Sequence, residues 1–281
     1  MNRWKRRPEP MFSSAVTAVD YQFMRIRGIQ IRYSVQGGSS DRVLLLFNGI
    51  GGSMELLQPF IEELSSTTIV TYDVPGAGAS SPPRYPWRPR QHVALAATLL
   101  DRLGYDCVDA LGVSWGGMLA QQFARQYPRR CRRLILAATT PGHLMVPGRL
   151  SVVLRMASPM RYLLPGYMES VAGKIYGGSL RTNRLGAKRH ASRMQPPSTR
   201  GYYYQVLALF GWSSLPWLHK LGQPTLVLAG DDDPIVPLVN ARILAACIPD
   251  AQLQVVDCGH LFLLTRARVL APQIEAFLAG T

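Results

Sequence analysis

The sequence predicts an α/β domain in which a mostly parallel central sheet carries helices on both faces and one helical insertion. The main observation is that short apolar runs alternate with helical segments along the chain, an order typical of parallel sheets. The alternation breaks once, between about residues 141 and 222, where no strand is predicted. Composition agrees, because 47% hydrophobic and 17% charged residues in a chain of 281 exclude a disordered protein.

The predicted strands begin with two alternating segments on either side of Gly28, which favour an antiparallel hairpin. Val43–Phe47 is a continuous apolar run of the kind found in strands buried on both faces. The same pattern predicts further strands at Thr68–Tyr72, Cys107–Leu111, Leu134–Ala138, Thr225–Ala229 and Leu253–Val256. Helical periodicity predicts helices that include Gln91–Leu103, Gly116–Tyr127, Val236–Cys247 and Arg266–Leu278.

The segment 142–221, called the insertion below, differs from the rest of the chain in composition. It holds half of the ten methionines, the tyrosine triplet at 202–204, and eleven basic residues against one acidic residue, Glu169. Thioethers adapt to irregular apolar ligands, so we predict a helical lid over an apolar pocket. The alternative is that these side chains form a small core of the lid itself. The predicted organisation is a basic N-terminal extension at 1–20, a core at 21–141 and 222–281, and a lid at 142–221.

The net charge of +14 suggests a nucleic-acid partner, but its distribution argues against one. The insertion alone carries +10 and residues 1–10 carry +3, which leaves the rest of the chain almost neutral. One basic module on a neutral body predicts attraction to an anionic surface, such as lipid headgroups or an acidic protein. A solvated helical face without any partner is the alternative.

The cellular location is predicted from two segments that the sequence does not show, a membrane-spanning helix and a secretory signal. No apolar run reaches the roughly 18 residues of a membrane-spanning helix, and the basic first ten residues lead into no apolar stretch. We therefore predict a cytoplasmic protein without a transmembrane segment. The cysteines show no metal-ligand spacing, so reduced thiols and no bound metal are predicted for Cys107, Cys131, Cys247 and Cys258.

A G-x-S-x-G pentapeptide follows a predicted strand directly and begins a predicted helix. A nucleophile elbow needs such a strand-to-helix turn, with small residues two positions before and after the serine. Gly112 and Gly116 occupy those positions. The central Ser114 would then be exposed above the sheet at the positive end of the helix dipole, and we predict that it is a nucleophile.

An activated serine needs a base, and the base needs an orienting acid. His260 follows the last predicted strand, so its imidazole is the predicted base. The preceding strand leads into three consecutive aspartates, of which Asp233 at the loop tip is the predicted acid. Asp231 and Asp232 are predicted to cap the loop or to face solvent. The other histidines follow no core strand directly and are predicted to be surface or lid residues, with a substrate-side role as the alternative: His92, His143, His190 and His219.

Acyl transfer also needs donors aimed at the developing oxyanion. The backbone N–H of Trp115, next to the nucleophile, is one predicted donor. The second is the N–H of Ile50, in the glycine-rich loop after Val43–Phe47. This loop does not predict a phosphate site, because the lysine and hydroxyl of a P-loop are absent.

Several strings extend the pattern beyond these motifs. They are LLLFNGIGG, YDVPGAGAS, GVSWGGMLAQQFARQYP, LILAATTPG, YYYQ, WLHKLGQPTLVLAGDDDPIVPL and CGHLFLLTRA. With them the sequence resembles the α/β-hydrolase superfamily and, within it, the intracellular poly(3-hydroxyalkanoate) depolymerases of the medium-chain-length type, from about Tyr21 to Phe277.

The resemblance implies a serine hydrolase that cleaves storage polyester to 3-hydroxyalkanoic acids or oligomers through an acyl-enzyme. It places the nucleophile, acid and base on Ser114, Asp233 and His260, and it implies no cofactor. The partner would be a polyester granule or another hydrophobic ester, and the protein would act at the granule surface.

The sequence is also compatible with two other functions. The first is a different enzyme on the same fold, such as a small-ester esterase, a lipase or a C–C bond hydrolase, because function depends on the pocket rather than on the fold. The second is a granule-binding protein without catalysis. The sequence leaves the side-chain length of the polyester and the oligomeric state undetermined.

Overall fold

One mixed sheet runs through the part of the chain that the structure, a computed structural model, describes: residues 19–164 and 166–280. All but the last two residues of the predicted N-terminal extension lie outside it. Eight strands pair in the order β1-β2-β4-β3-β5-β6-β7-β8. The strands are β1 (Gln22–Ile26), β2 (Ile29–Gln36), β3 (Val43–Phe47), β4 (Thr68–Tyr72), β5 (Val108–Val113), β6 (Cys131–Ala137), β7 (Thr225–Gly230) and β8 (Ala251–Val256).

The prediction of a mostly parallel sheet is confirmed. β2 pairs antiparallel with both of its neighbours, whereas every pairing from β4 to β8 is parallel. The hairpin of β1 and β2 turns at Arg27 and Gly28, both with positive φ, 51° and 78°. Positive φ at both central positions is typical of the type I′ turn that suits the twist of a hairpin.

Helices cover both faces of the sheet, as predicted. They are α1 (Gln58–Ile61), α2 (Pro89–Leu103), α3 (Trp115–Gln126), α4 (Leu150–Met156), α5 (Met160–Leu163), α6 (Tyr167–Tyr176), α7 (Arg184–Arg193), α8 (Thr199–Leu209), α9 (Leu238–Cys247), α10 (Phe262–Thr265) and α11 (Ala267–Ala279). Side chains of α2, α3 and α9 share one apolar core with alternate residues of β3, such as Leu45. Side chains of α1, α10 and α11 share the other core with Leu44 and Leu46. This alternation explains why β3 is a continuous apolar run.

Strand boundaries differ from the predictions most in β6, which begins at Cys131 instead of Leu134, and in β5. The strand predicted at Cys107–Leu111 begins at Val108 and continues to Val113, so it includes the first two residues of the G-x-S-x-G pentapeptide. Pairing with β6 explains the extension, because Gly112 and Val113 lie opposite Leu136 and Ala137. Gly112 does not interrupt the strand. Because it has no side chain, the next helix can pack closely against it.

The insertion between β6 and β7 contains α4 to α8. It has a small apolar core formed by Val152, Met168, Ala172, Ile175, Tyr176, Leu180 and Ala187. One of its eleven basic side chains, Arg161, is only 3% exposed, so the surface of the insertion carries less positive charge than the sequence implies. Within 19–164 and 166–280, no helix combines the length and the apolar character needed to cross a bilayer.

Candidate active site

Ser114 occupies the turn between β5 and α3. Its backbone has φ 54° and ψ −117°, a conformation that non-glycine residues rarely adopt. Its N–H donates to the carbonyl of Ala137 at the end of β6, at 2.9 Å. The neighbouring strand therefore holds the strained residue at the carboxyl edge of the sheet, where its half-buried side chain borders a cavity.

The two elbow glycines are required by close packing. A Cβ on Gly112 would lie 2.4 Å from the carbonyl oxygen of Gly116, and a Cβ on Gly116 would lie 2.2 Å from that of Phe47. Both distances are far shorter than van der Waals contact, and both neighbours are backbone atoms that cannot move aside. Any larger residue at either position would separate α3 from the sheet and displace Ser114.

Asp233 and His260 form a buried pair at the same edge of the sheet. The loop after β7 carries Asp233 and the loop after β8 carries His260, and His260 Nδ1 lies 2.6 Å from Asp233 Oδ2. The other oxygen, Asp233 Oδ1, accepts the backbone N–H groups of Ile235 and Val236, each at 2.9 Å. These three contacts fix the carboxylate. An ionised Asp233 accepts the Nδ1 proton, which leaves Nε2 of the neutral imidazole as a base.

The other two aspartates of the loop hold the surrounding structure. Asp231 Oδ1 accepts the N–H of Cys258 at 3.0 Å. Asp232 pairs with Arg181 of the insertion, at 2.6 Å to Nε and 2.7 Å to Nη2, and it accepts the N–H of Gly178. The Arg181 guanidinium beside it lowers the pKa of the Asp232 carboxyl. The prediction that these two residues cap the loop or face solvent did not include the ion pair with the insertion.

A residue of the insertion that sequence reasoning missed contacts the predicted base. The ring of Tyr176, at the end of α6, lies nearly parallel to the imidazole of His260, and its carbonyl accepts the His260 N–H at 2.7 Å. No motif marks Tyr176 in the sequence. The only signal is its position before two consecutive glycines, 177 and 178, which let the insertion approach the loop after β8.

The two predicted oxyanion donors lie beside Ser114. Trp115 is the first residue of α3, so its N–H has no acceptor within the helix. Ile50 lies in a turn closed by a hydrogen bond from Gly52 N to Gly49 O, at 3.0 Å. Ile50, Ser114 and Trp115 line one cavity. The structure therefore places these three predicted site residues together, and it places Asp233 and His260 in contact with each other.

The cavity is apolar and has a volume of about 380 Å³. The insertion supplies much of its wall, and residues of the main domain, such as Met118, Val236 and those of the elbow, supply the rest. The lining residues from the insertion include His143, Met145, Val153, Met156, Ala157, Val206, Leu209 and Phe210. Met145 and Met156 therefore face a ligand-sized space, whereas Met168 belongs to the core of the insertion.

One histidine contradicts its prediction. His92 is neither a surface nor a lid residue, because it lies in the core of the main domain, with its ring edge-on to Trp87 and Trp115. Burial lowers the pKa of His92 to about 3. The physical reason for its position is helical periodicity, which places His92 on the buried face of α2. His143 lines the cavity and His219 is exposed on a short helical turn.

Among the described residues, no three or more His, Cys, Asp or Glu side chains are grouped so that they could hold a metal ion. The four cysteines are free, and Cys131 and Cys258 are buried. The site is built from a serine, a histidine–aspartate pair and backbone amides.

Comparison with known proteins gives the same fold and a close relative. A family model described as alpha/beta hydrolase fold matches residues 42–267. The chain is 52% identical over 250 residues to a poly(3-hydroxyalkanoate) depolymerase of Ectopseudomonas oleovorans, which covers 88% of each chain. It is 25% identical over 254 residues to 3-oxoadipate enol-lactonase 2 of Acinetobacter baylyi, covering 86% of this chain and 90% of that protein. A crystal structure of a hydrolase from Pseudomonas aeruginosa PA01 matches with a TM-score of 0.78 at 24% identity, covering 93% and 99% of the two chains, and it shows the fold alone.

Proposed function

Because the chain belongs to the α/β-hydrolase fold family and, within it, to the poly(3-hydroxyalkanoate) depolymerases, we propose that it cleaves polyester ester bonds through an acyl-enzyme on Ser114. The observation that carries the proposal is the placement of Ser114, in its strained elbow, at the wall of an apolar cavity of about 380 Å³. The Asp233–His260 pair lies at the same edge of the sheet.

In this mechanism, His260 accepts the proton of Ser114 as the serine oxygen attacks the ester carbonyl. The negative charge on the carbonyl oxygen is stabilised by the N–H groups of Ile50 and Trp115. The C–O bond then breaks, and the departing hydroxyl end of the polymer takes its proton from His260. Water, deprotonated by His260, attacks the acyl carbonyl. The bond to the Ser114 oxygen then breaks, His260 returns the proton to that oxygen, and a 3-hydroxyalkanoic acid or a short oligomer is released.

The insertion serves as the lid in this proposal. Its methionines and Phe210 cover the cavity with adaptable apolar side chains, which suits an alkyl side chain longer than methyl. We therefore assign the polymer to the medium-chain-length class. A short polar acid would find no charged partner in the part of the wall formed by Met145, Met156 and Phe210.

Docking on a granule surface is the second part of the proposal. Among residues 19–164 and 166–280, most large apolar side chains that are exposed belong to the insertion, and they include Leu144, Leu150, Leu154, Met160, Leu163, Leu164, Leu207 and Phe210. Such a concentration on one segment is typical of a contact with an apolar surface. Exposed basic residues of α7, namely Arg184, Lys188 and Arg193, add attraction to anionic lipid or acidic protein on that surface.

The test is incubation of the purified protein with amorphous medium-chain and short-chain polyester granules, with chemical identification of the released acids. We expect 3-hydroxyalkanoic acids from the medium-chain granules. Ser114→Ala should lower kcat by on the order of 10⁴–10⁶ while the protein still sediments with granules. Residual activity above about a hundredth of wild type would exclude Ser114 as the nucleophile. Rapid turnover of soluble esters without release from any granule would favour a small-ester esterase instead.

A further inference from the structure

A buried arginine of the insertion lies against the loop that carries one predicted oxyanion donor. Arg161, in α5, is 3% exposed. Its Nη2 donates to the carbonyl oxygen of Ile50 at 3.1 Å, and its Nη1 donates to the hydroxyl of Tyr202 at 2.7 Å. Its guanidinium carbon lies 4.7 Å from the ring centre of Tyr162 and 5.3 Å from that of Tyr202.

This guanidinium has no counter-ion. Within residues 19–164 and 166–280, no carboxylate oxygen lies within 4 Å of an Arg161 nitrogen, and Nε has no hydrogen-bond partner. Arginine remains protonated in proteins, so the positive charge persists in the interior. Burying an unpaired charge is expensive, and two aromatic faces offset only part of that cost. Packing alone would be served better by an apolar side chain.

The loop that Arg161 contacts is a tight turn from Gly49 to Gly52. Gly51, its third residue, has φ 68°, as a type II turn requires. Type I and type II turns differ in the orientation of the central peptide, which here joins Ile50 to Gly51. The insertion holds both ends of that peptide. Arg161 and the Tyr162 hydroxyl, at 2.9 Å, donate to its carbonyl, and its N–H donates to Gln205 Oε1 at 2.8 Å.

Gln205 extends the same set of contacts to the elbow. Its backbone carbonyl oxygen accepts the indole N–H of Trp115 at 2.9 Å. The insertion therefore contacts the residues that carry both predicted oxyanion donors, Ile50 and Trp115. The N–H of Ile50 belongs to the peptide just before the one that Arg161 holds, so its direction depends on the turn retaining its type.

We propose that Arg161 is a positioning residue for the oxyanion hole. It fixes the Ile50–Gly51 peptide, so that the Ile50 N–H points into the cavity before substrate arrives. Its uncompensated charge behind the loop also favours the anionic tetrahedral intermediate over the neutral ester. The proposal rests on acyl transfer at Ser114, and it adds that the lid supplies part of the catalytic electrostatics as well as the wall of the cavity.

The test compares Arg161→Met and Arg161→Lys with Arg200→Met, an exposed arginine of the same insertion. Three quantities are measured: kcat and KM for a soluble neutral p-nitrophenyl ester, and the affinity for a trifluoromethyl ketone that forms an anionic tetrahedral adduct with serine. Arg161→Met should lower kcat and the ketone affinity together by about 10- to 100-fold, with KM within about threefold, because the lost interaction acts on the transition state. Arg161→Lys should recover part of both losses, and Arg200→Met should match wild type.

A second variant keeps the test informative if Arg161→Met does not fold. Tyr162→Phe removes one hydroxyl, and with it one donor to the Ile50 carbonyl. Its matched control is Tyr203→Phe, on an exposed phenol. We expect Tyr162→Phe to lower kcat and ketone affinity by about 3- to 10-fold at unchanged KM.

The outcomes separate this proposal from the proposed function. Wild-type kcat and ketone affinity in both Arg161→Met and Tyr162→Phe would overturn the positioning role. So would an equal loss of affinity for the ketone and for a neutral product analogue, because that pattern indicates a damaged cavity. If Ser114→Ala remained active, the acyl-transfer mechanism itself would fail, whatever the Arg161 variants showed.

Discussion

The phenol ring of Tyr176 lies 6.3 Å, centre to centre, from the imidazole of His260, with 12° between the two ring planes. The same tyrosine accepts the backbone N–H of His260 at 2.7 Å. On its other side, Tyr176 meets the ring of His190 edge-on. The predicted base is therefore supported from the main domain by Asp233 and from the insertion by Tyr176.

We expect Tyr176→Ala to lower kcat by about tenfold with little change in KM, because the imidazole would lose the ring that limits its rotation. Tyr176→Phe retains the ring and the backbone contact, so it should remain within about threefold of wild type. Steady-state kinetics with a soluble ester measure both. Equal losses in the two variants would assign the role to the hydroxyl group instead of the ring.

Among the three aspartates, Asp233→Asn is the expected damaging change. It would remove the acceptor of the Nδ1 proton and leave His260 in the wrong tautomer, at a cost of roughly 10⁴ in kcat. Asp231→Asn and Asp232→Asn should stay within about tenfold of wild type, since neither side chain contacts the imidazole. A loss in either of them comparable to that of Asp233→Asn would mean that the acid is misplaced. Measuring kcat for the three purified variants shows which aspartate is the acid.

Local sequence pattern predicts some features of this protein and leaves others out. The sheet and the elbow turn could be predicted, and Ser114, Asp233 and His260 could be proposed as the site, because each depends on local pattern: an apolar strand, a tight turn and a polar residue after it. The roles of Arg161 and Tyr176 could not be. Both depend on how the insertion packs over the main domain, and nothing in the local sequence distinguishes a buried arginine from its ten basic neighbours.

Burial of His92 predicts a specific pH dependence of stability. Its pKa is about 3 in the folded chain and about 6.5 when exposed. Between these values the unfolded chain binds one more proton, so the free energy of unfolding falls as the pH is lowered from 6.5, by up to about 1.4 kcal/mol per pH unit. His92→Gln should remove this contribution. Urea unfolding at a series of pH values from about 4.5 to 7.5 measures the slope.

The control for that experiment is His219→Gln, at an exposed histidine, which should leave the slope unchanged. His92→Gln is also expected to be less stable than wild type at neutral pH, because the ring packs between two tryptophans. The prediction concerns the slope alone. An unaltered slope in His92→Gln would show that His92 takes up a proton in the folded state.

Granule binding should depend on salt if the basic face of α7 contributes. We expect sedimentation with granules to weaken several-fold from about 50 mM to about 500 mM NaCl, because screening shortens the reach of surface charges. Turnover of a soluble neutral ester should barely change. Arg184, Lys188 and Arg193 changed together to Gln should weaken sedimentation at low salt several-fold as well, because they remove the charges that salt screens.

A triple variant of equal charge change on the main domain, with Gln at Arg90, Arg125 and Arg129, is the matched control and should sediment as wild type does. Salt-independent sedimentation of the wild-type protein would leave the exposed leucines of the insertion as the docking surface. In that case the charge of α7 is solvated and has no anionic partner on the granule.

The contacts of the insertion have a consequence for engineering. One way to change specificity would be to transplant the segment above the pocket from one homologue into another. Here such a chimaera would also exchange Arg161, Tyr176 and Arg181, which hold the loops of Ile50, His260 and Asp232. A transplant that changes only cavity-facing positions, such as Met145, Met156 and Phe210, would alter which polymer fits and keep those supports in place.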